Sequence, residues 1–208
     1  NAKAPFVFYI DDDAYPIRDI VDILSKLLIT NDIKCISGIT KYWDKNSPEW
    51  MKPSFVEVPY FRKDFGKMPN TGYINGCACG FSKSVLQELG GFDPNLGMKA
   101  KNVGYYDEVA AQRVIATAGH TIYYDPNLVV YHQSHSKTAW QFLASAYKKG
   151  EYRKKAQLVK PLKSFILGCL FLLKGTFLFI QKIPQGINVA VVESFSLPLI
   201  YFGQAFGK

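Results

Sequence analysis

Short apolar segments alternate with amphipathic segments along the first two thirds of the chain, and this alternation limits the fold more than any other feature. The run Phe6–Ile10 is too short for a helix and is rich in aromatic and β-branched residues, which is typical of a buried strand. Apolar residues then recur at helical spacing from Ile17 to Thr30, and a second strand is predicted over residues 35–39. Because strands and helices alternate in this way to about residue 135, the sequence predicts an α/β fold.

Turn and capping residues divide the rest of this segment into further elements. Ser82 is predicted to be the N-cap of a helix, and glycines are predicted to end two helices. The predicted elements are a helix with Pro16 in its first turn, an irregular excursion over 42–69, a strand over 73–81, a helix over 83–89, a helix over 109–118, and two short strands over 121–124 and 128–131.

The net charge of +8 is distributed unevenly along the chain. Residues 1–136 carry 14 Lys and Arg against 15 Asp and Glu, whereas residues 137–208 carry 11 against 2. A nucleic-acid-binding domain would place its basic residues on the folded part, interleaved with exposed aromatic residues. We therefore expect no nucleic-acid partner, and the basic end of the chain instead favours an anionic membrane surface.

The chain changes character at residue 136, so we divide it into a domain over 1–135 and a tail over 136–208. The tail begins with a basic amphipathic segment and continues into two apolar stretches, of which 162–181 has the length of a membrane span. Lys174 lies at its centre and opposes insertion, so a spanning helix and an interfacial one both remain open. The Lys and Arg residues over 148–182 suit anionic lipid, so we expect the protein at the cytoplasmic face of the cell membrane.

Three groups of polar residues could carry chemistry. Asp11, Asp12 and Asp13 follow the first strand, where open α/β sheets place ligands, and carboxylates one residue apart can both bind Mg²⁺ or Mn²⁺. Asp107-Glu108 opens a helix, and His132 closes a strand. Each group also has an ordinary structural explanation, since acidic residues are common in turns and at helix N-termini, and a single His is usually structural.

The order of these groups along the chain is more specific than any one of them. An Asp-x-Asp after a strand, a Gly-rich segment followed by Gly-Gly-Phe-Asp, an acidic pair opening a helix, and a strand ending in His resemble the second half of family 2 glycosyltransferases. The resemblance covers residues 5 to about 150. The matching segments are 9–16, 76–84, 90–93, 105–108, Gly119 and 124–132.

The resemblance implies a partial GT-A fold, a Rossmann-like mixed sheet with flanking helices, followed by a membrane-associated helical tail. It implies that Asp11 and Asp12 contact the nucleotide-sugar and that Asp13 and His132 bind a divalent cation, Mn²⁺ or Mg²⁺. It also implies that Gly76, Cys77 and Asp93 line the donor sugar, and that the acceptor is a glycan, lipid-linked or polysaccharide.

The resemblance further implies single displacement with inversion, in which a carboxylate accepts the proton of the acceptor hydroxyl. Counting back from Gly119 without a gap places Glu108 on the position of the base, with Asp107 as its partner. This register puts Val114 where the family usually has Arg, and Tyr106 where a small residue is common. Counting back from Arg113 instead makes Asp107 the base. We prefer Glu108, which needs no insertion.

Two parts of the family pattern are absent from this sequence. The first half of the GT-A fold, with most of the nucleoside-binding surface, is missing, so this chain alone is expected to be inactive. The Gln-x-x-Arg-Trp motif of processive synthases does not follow His132, which favours single-sugar transfer in bacterial cell-envelope or exopolysaccharide synthesis. The alternative is a membrane-anchored scaffold that has kept the fold with impaired catalysis.

Overall fold

A computed structural model describes residues 2–41, 57–58, 63–69, 72–97, 106–132, 138–155 and 160–207. The chain forms two compact units, of which the first comprises residues 1–47, 56–94 and 107–133, and the second residues 48–55, 95–106 and 134–208. Most of the excursion predicted over 42–69 lies outside the described residues, as does Tyr105 of the acidic-pair motif.

The first unit contains seven strands and three helices among its described residues. In chain order they are β1 (Phe6–Tyr9), β2 (Ala14–Pro16), α1 (Ile20–Thr30), β3 (Cys35–Lys41), β4 (Glu57–Val58), β5 (Gly66–Lys67), a 3₁₀ turn (Gly76–Ala78), β6 (Cys79–Ser82), α2 (Lys83–Glu88), α3 (Asp107–Thr117) and β7 (Ile122–His132).

The strands form one mixed sheet in the order β1-β6-β3-β7-β2, with β4 paired to β3 and β5 paired to β7. Strand β6 is antiparallel to both β1 and β3, while β3 and β7 are parallel. Strands β1, β3 and β7 therefore run in the same direction, and their carboxyl ends lie at one edge of the sheet. This edge holds the acidic cluster, although β6, the neighbour of β1, is antiparallel to it.

Helices cover both faces of the sheet. Successive strand residues point to opposite sides, so neighbouring residues of one strand pack against different helices. Cys35 belongs to a buried cluster that includes residues of α2 and α3, whereas Ile36 belongs to a cluster that includes Ile20 of α1. This arrangement confirms the predicted fold class, a mixed sheet with flanking helices. The helical C-terminal tail, described below, completes it.

Several local predictions were wrong where long-range pairing overrides local sequence preference. Pro16 lies in β2 opposite Val130, and the first helix begins only at Ile20. The strand predicted over 73–81 is a 3₁₀ turn followed by β6. Strand β1 is only partly buried, because it lies at the edge of the sheet.

The two short strands predicted after residue 121 are one continuous strand, β7. Asp125 Oδ1 accepts hydrogen bonds from the backbone N and the side-chain Nδ2 of Asn127, at 2.8 and 2.9 Å, which is the turn chemistry that the sequence indicated. The pairing register with β3 shifts at this point, between Ser37 and Ile39. A Cβ atom on Gly38 would overlap the carbonyl of Leu128, so only glycine fits opposite the irregularity.

The second unit is mainly helical over its described residues. It contains α4 (Ala139–Lys155), α5 (Pro161–Lys182), a short 3₁₀ turn (Ile183–Gln185) and α6 (Ile187–Phe206). Helix α6 packs against both α4 and α5. A Cβ on Gly175 would overlap the backbone of Ser194, and one on Gly168 would meet the ring of Phe202, so α5 and α6 approach closely along a face of small residues.

Two helical segments, Pro161–Gln185 and Ile187–Phe206, are long and apolar enough to cross a bilayer by length and composition. The core helices of soluble proteins meet the same criterion, so this observation is weak by itself. Near the turn between the two helices, Lys182 Nζ pairs with Glu193 Oε2 at 2.8 Å. The pair neutralises one charge on each helix.

Candidate functional site

The turn after β1 brings two of its carboxylates to His132. The backbone N of Ala14 donates to the Asp11 carbonyl at 3.1 Å, which closes the turn, and Ala14 then pairs with His132 across β2 and β7. As a result, His132 Nε2 lies 3.2 Å from Asp13 Oδ1 and 3.4 Å from Asp11 Oδ2. The His132 side chain is only 10% exposed, whereas the two carboxylates are about half exposed.

Cys77 lies in the 3₁₀ turn before β6 and adds a thiol to this cluster. Its Sγ, a carboxylate oxygen of Asp11 and a ring nitrogen of His132 all lie within 4.8 Å of one another. Burial raises the pKa of the Cys77 thiol to about 11, and the negative charge of Asp11 acts in the same direction. Cys77 is therefore a neutral thiol at pH 7, even though its position is that of a metal ligand.

The donor set fits a hard or borderline divalent cation. Two ligands bound at about 2.1 Å and at right angles to each other lie about 3.0 Å apart, close to the separations of His132 from Asp11 and Asp13. The carboxylate oxygens suit Mn²⁺ and Mg²⁺, whereas the imidazole nitrogen suits transition-metal ions and a thiolate would favour softer ions such as Zn²⁺.

A second acidic site lies at the first turn of α3. Asp107 and Glu108 begin this helix, and a Cβ atom on Gly76 would lie 3.4 Å from the Glu108 carboxyl carbon. Burial raises the pKa of Glu108 to about 8, with further contributions from its hydrogen bond to Asp107 and from the charges of Asp107 and Asp11. Burial also raises the pKa of the Cys79 thiol, and the negative charge of Glu108 adds to this effect.

Neighbouring residues join the two acidic sites, since Gly76 faces Glu108 while Cys77 faces Asp11 and His132. The Asn75 side chain fixes this short segment by accepting a hydrogen bond from the Cys77 backbone N at 3.0 Å. The cation-ligand cluster and the carboxyl of raised pKa therefore belong to one site at the edge of the sheet.

Gln112 supports this site and was not identified from the sequence. It is buried one helical turn after Glu108, where its Oε1 accepts from the backbone N of Ile74 at 2.9 Å and its Nε2 donates to the Gly72 carbonyl at 3.2 Å. Gln112 thus holds the segment that leads to Gly76. The available signal was its i+4 spacing from Glu108, which places both side chains on one face of α3.

The structure brings together most of the residues predicted for the site. Asp11, Asp13, Cys77 and His132 form the cluster, and Asp107, Glu108 and Gly76 form the adjoining acidic site. Asp12 and Asp93 are exposed and lie outside both groups. The individual roles in donor binding and catalysis stay predictions. His135, a weaker candidate in the sequence, lies outside the described residues.

The raised pKa of Glu108 predicts a pH-dependent difference in stability between the wild type and a Glu108→Gln variant. Between the ordinary pKa of 4.5 and about 8, the folded state holds a proton that the unfolded state lacks. The contribution of Glu108 to wild-type stability is therefore fully present below pH 4.5 and falls as the pH rises to 8, by up to about 1.4 kcal/mol per pH unit. The variant has no such proton, so we expect its Tm relative to wild type to increase from pH 5 to pH 8.

The matched control for this measurement is Glu88→Gln, which changes an exposed carboxyl on α2. Its Tm relative to wild type should not vary between the two pH values. A Glu108→Gln variant whose Tm follows the wild-type pH dependence would contradict the raised pKa.

Comparisons with known proteins give a fold-level likeness. No protein-family model and no curated protein matches the chain. Among the solved structures that match is the mannosyltransferase PcManGT from Pyrobaculum calidifontis in complex with GDP-Man and Mn²⁺, at 16% identity and a TM-score of 0.47. The match covers 97% of this chain and 50% of that one, so the chain spans half the length of that enzyme. Family 2 membership stays a prediction.

Proposed function

We propose that this chain is the C-terminal part of the catalytic domain of a glycosyltransferase, which transfers a sugar from a nucleotide-sugar to an acceptor hydroxyl with inversion. The observation that carries the proposal is the single site formed by the donors of Asp11, Asp13 and His132 and by the Glu108 carboxyl of raised pKa. Inverting sugar transfer from a nucleoside diphosphate sugar uses both components. The bound cation stabilises the leaving group, and the carboxylate accepts the acceptor proton.

In this proposal, Asp11, Asp13 and His132 hold the divalent cation. The cation, when bound, neutralises the negative charge that develops on the diphosphate leaving group. Asp12 contacts the nucleotide part of the donor. Gly76, Cys77 and Asp93 contact the donor sugar, and the missing side chain of Gly76 leaves space beside the Glu108 carboxyl.

Glu108 is proposed as the general base. The acceptor hydroxyl gives its proton to the Glu108 carboxylate while its oxygen bonds to the anomeric carbon, and the bond from that carbon to the diphosphate breaks. Asp107 stays hydrogen-bonded to Glu108 and orients it. A pKa near 8 suits a general base that works close to neutral pH, since it binds the proton strongly and is still partly ionised.

The tail is proposed to associate with anionic lipid at the cytoplasmic face of the membrane, which would bring a lipid-linked or polysaccharide acceptor within reach. Helix α5 has a continuous face of large apolar side chains that are more than half exposed. This face consists of Leu162, Ile166, Leu170, Leu173, Phe177 and Ile180. The residues recur at three- and four-residue spacing, so they form one stripe along the helix.

The proposal is tested by incubating membranes that contain the complete protein with a panel of nucleotide-sugars, Mn²⁺ and lipid extract, before and after a carbonate wash. We expect one donor to be consumed with transfer of its sugar, and only when a divalent cation is present. Absence of transfer from every donor would favour the impaired scaffold. Release of the protein by carbonate would exclude a spanning tail.

A further inference from the structure

Cys77 adds a soft donor atom to the cluster around His132, and all members of this cluster belong to the first compact unit. The Cys77 Sγ, a carboxylate oxygen of Asp11 and a ring nitrogen of His132 lie within 4.8 Å of one another. Asp13 also reaches His132, but among the described residues it is not part of this three-residue group. Two donor sets therefore share Asp11 and His132, and they differ in whether oxygen or sulfur completes them.

The set that includes Cys77 has the composition and spacing of a tetrahedral zinc site. Zn²⁺ binds His nitrogen and carboxylate oxygen at about 2.0 Å, so two such ligands lie about 3.3 Å apart in a tetrahedron. His132 Nε2 lies 3.4 Å from Asp11 Oδ2. A cysteine sulfur bound at about 2.3 Å lies about 3.5 Å from the other two ligands. The Cys77 sulfur is already within 4.8 Å of both partners, so only a small rotation of its side chain is needed.

Thr40 gives independent support, because its hydroxyl lies beside the Cys77 sulfur. Thr40 belongs to β3 and is fully buried, and its Oγ1 makes no hydrogen bond of ordinary length and angle within the part of the chain that the structure describes. A buried hydroxyl left in this state is costly. The Thr40 hydroxyl favours the thiolate form of Cys77, which opposes the effect of burial on the pKa of this thiol. It is thus directed at the atom that a metal ion would bind.

The cluster is open to solvent on one side and buried on the other. The Asp11 side chain is 52% exposed, whereas Cys77 and His132 are largely buried. An ion can therefore enter past Asp11 and reach the sulfur. On binding, the Sγ–H bond of Cys77 is replaced by a bond from Sγ to the metal, and the proton leaves to solvent. The ion keeps its charge, so the step needs no oxidant or reductant.

The third donor decides which ion each set prefers. Thiolate and imidazole suit Zn²⁺, whereas carboxylate oxygens suit Mn²⁺ and Mg²⁺. At comparable sites Zn²⁺ also binds more tightly than Mn²⁺. Because both sets use Asp11 and His132, an ion held by one set excludes an ion from the other.

We propose that Asp11, Cys77 and His132 form a binding site for Zn²⁺, which competes with Mn²⁺ for the shared Asp11 and His132. The binding itself does not depend on catalysis. Its consequence for sugar transfer rests on the proposed function, because an ion held by Cys77 removes two ligands from the cation at the diphosphate. Zn²⁺ is then an inhibitor of transfer, and added Mn²⁺ reverses the inhibition.

The first test uses Cd²⁺ as a spectroscopic substitute for Zn²⁺ on the complete, reduced protein without any donor. A cadmium–thiolate bond absorbs in the ultraviolet, so we expect a difference band that saturates during titration and is removed by Zn²⁺. Cys77→Ala should lose this band. Cys79→Ala is the matched control, because it removes another buried thiol two residues away and should keep the band.

The second test measures competition, by the return of the free Mn²⁺ electron paramagnetic resonance signal when Zn²⁺ is added. Cys77→Ala should need more than about 100-fold more Zn²⁺ to displace Mn²⁺, because loss of groups that merely support metal ligands already costs about 10- to 100-fold. Thr40→Val, which keeps the shape and removes the hydroxyl, should need about 10-fold more. Both variants should still bind Mn²⁺, which also shows that they are folded.

The proposal is overturned if Cd²⁺ gives no thiolate band with wild type, or if the band persists in Cys77→Ala. It is also overturned if Zn²⁺ displaces Mn²⁺ equally well from wild type and from Cys77→Ala. If wild type transfers no sugar but the band and the competition still require Cys77, the proposed function fails while the zinc site stands.

Discussion

Glu108→Gln in the complete enzyme is expected to lower the rate of sugar transfer about 10²- to 10⁴-fold, the range that a positioned general base contributes. The amide cannot accept the acceptor proton, but it is close in shape to the protonated carboxyl that burial favours at this site. Binding of the nucleotide-sugar should therefore be retained. Turnover is measured with the labelled donor, and the donor Kd by calorimetry in the presence of Mn²⁺.

Asp107→Asn is the comparison that distinguishes the two registers of the acidic pair. With Glu108 as the base, Asp107→Asn should reduce turnover less than Glu108→Gln, since it removes only the group that orients the base. Normal turnover by Glu108→Gln, together with loss of turnover by Asp107→Asn, would move the base to Asp107. Wild-type kcat should also rise with pH up to about 8, as Glu108 loses its proton.

The second large effect is expected from loss of a cation ligand. His132→Ala and Asp13→Asn should each weaken Mn²⁺ binding by more than about 100-fold, because changes in the residues that merely support metal ligands already cost about 10- to 100-fold. Sugar transfer at ordinary Mn²⁺ concentrations should be lost in parallel. Mn²⁺ affinity is measured by the loss of the free-ion electron paramagnetic resonance signal during titration, without any donor.

His120→Ala is the control for this experiment. His120 follows α3 and is only partly exposed, and it is not among the clustered cation ligands found in the described residues. It should bind Mn²⁺ like wild type. An unchanged Mn²⁺ titration for both His132→Ala and Asp13→Asn would show that the cluster is held together by ordinary polar contacts.

Local sequence patterns predicted the elements of the fold well wherever the pattern and the tertiary environment agree. The amphipathic period of α1 and the glycine that ends α3 are properties of a few consecutive residues. Gly119 has a φ of +91°, and the backbone N of His120 donates to the Ile115 carbonyl, as the glycine stop predicts. Such signals require no knowledge of distant parts of the chain.

Strand pairing was harder to predict, because it depends on partners far away in sequence. Pro16 has the sequence signature of a helix start, yet it lies in β2, which pairs with β7 more than a hundred residues later. Asp125-Pro126 has the signature of a turn between strands, yet β7 continues through it, because Gly38 on β3 leaves room for the irregularity.

The candidate site shows the same division. The order of acidic and histidine residues predicted Asp11, Asp13, Glu108 and His132 as site residues, and the structure places the first two beside His132. The sequence could not show that Cys77 lies beside Asp11 and His132, because its position depends on how the 3₁₀ turn meets the turn after β1.

By itself, the sequence determined the class of fold, the apolar and basic character of the tail, and which carboxylates and histidine could carry chemistry. These follow from periodicity, turn residues and charge, which act over one or two turns of chain. Only the tertiary structure decided that His132 meets Asp11 and Asp13, and that burial beside Asp107 raises the pKa of Glu108. Each of these depends on packing between segments that are distant in sequence. That packing fixes how far apart two charged groups lie and how much water each of them loses.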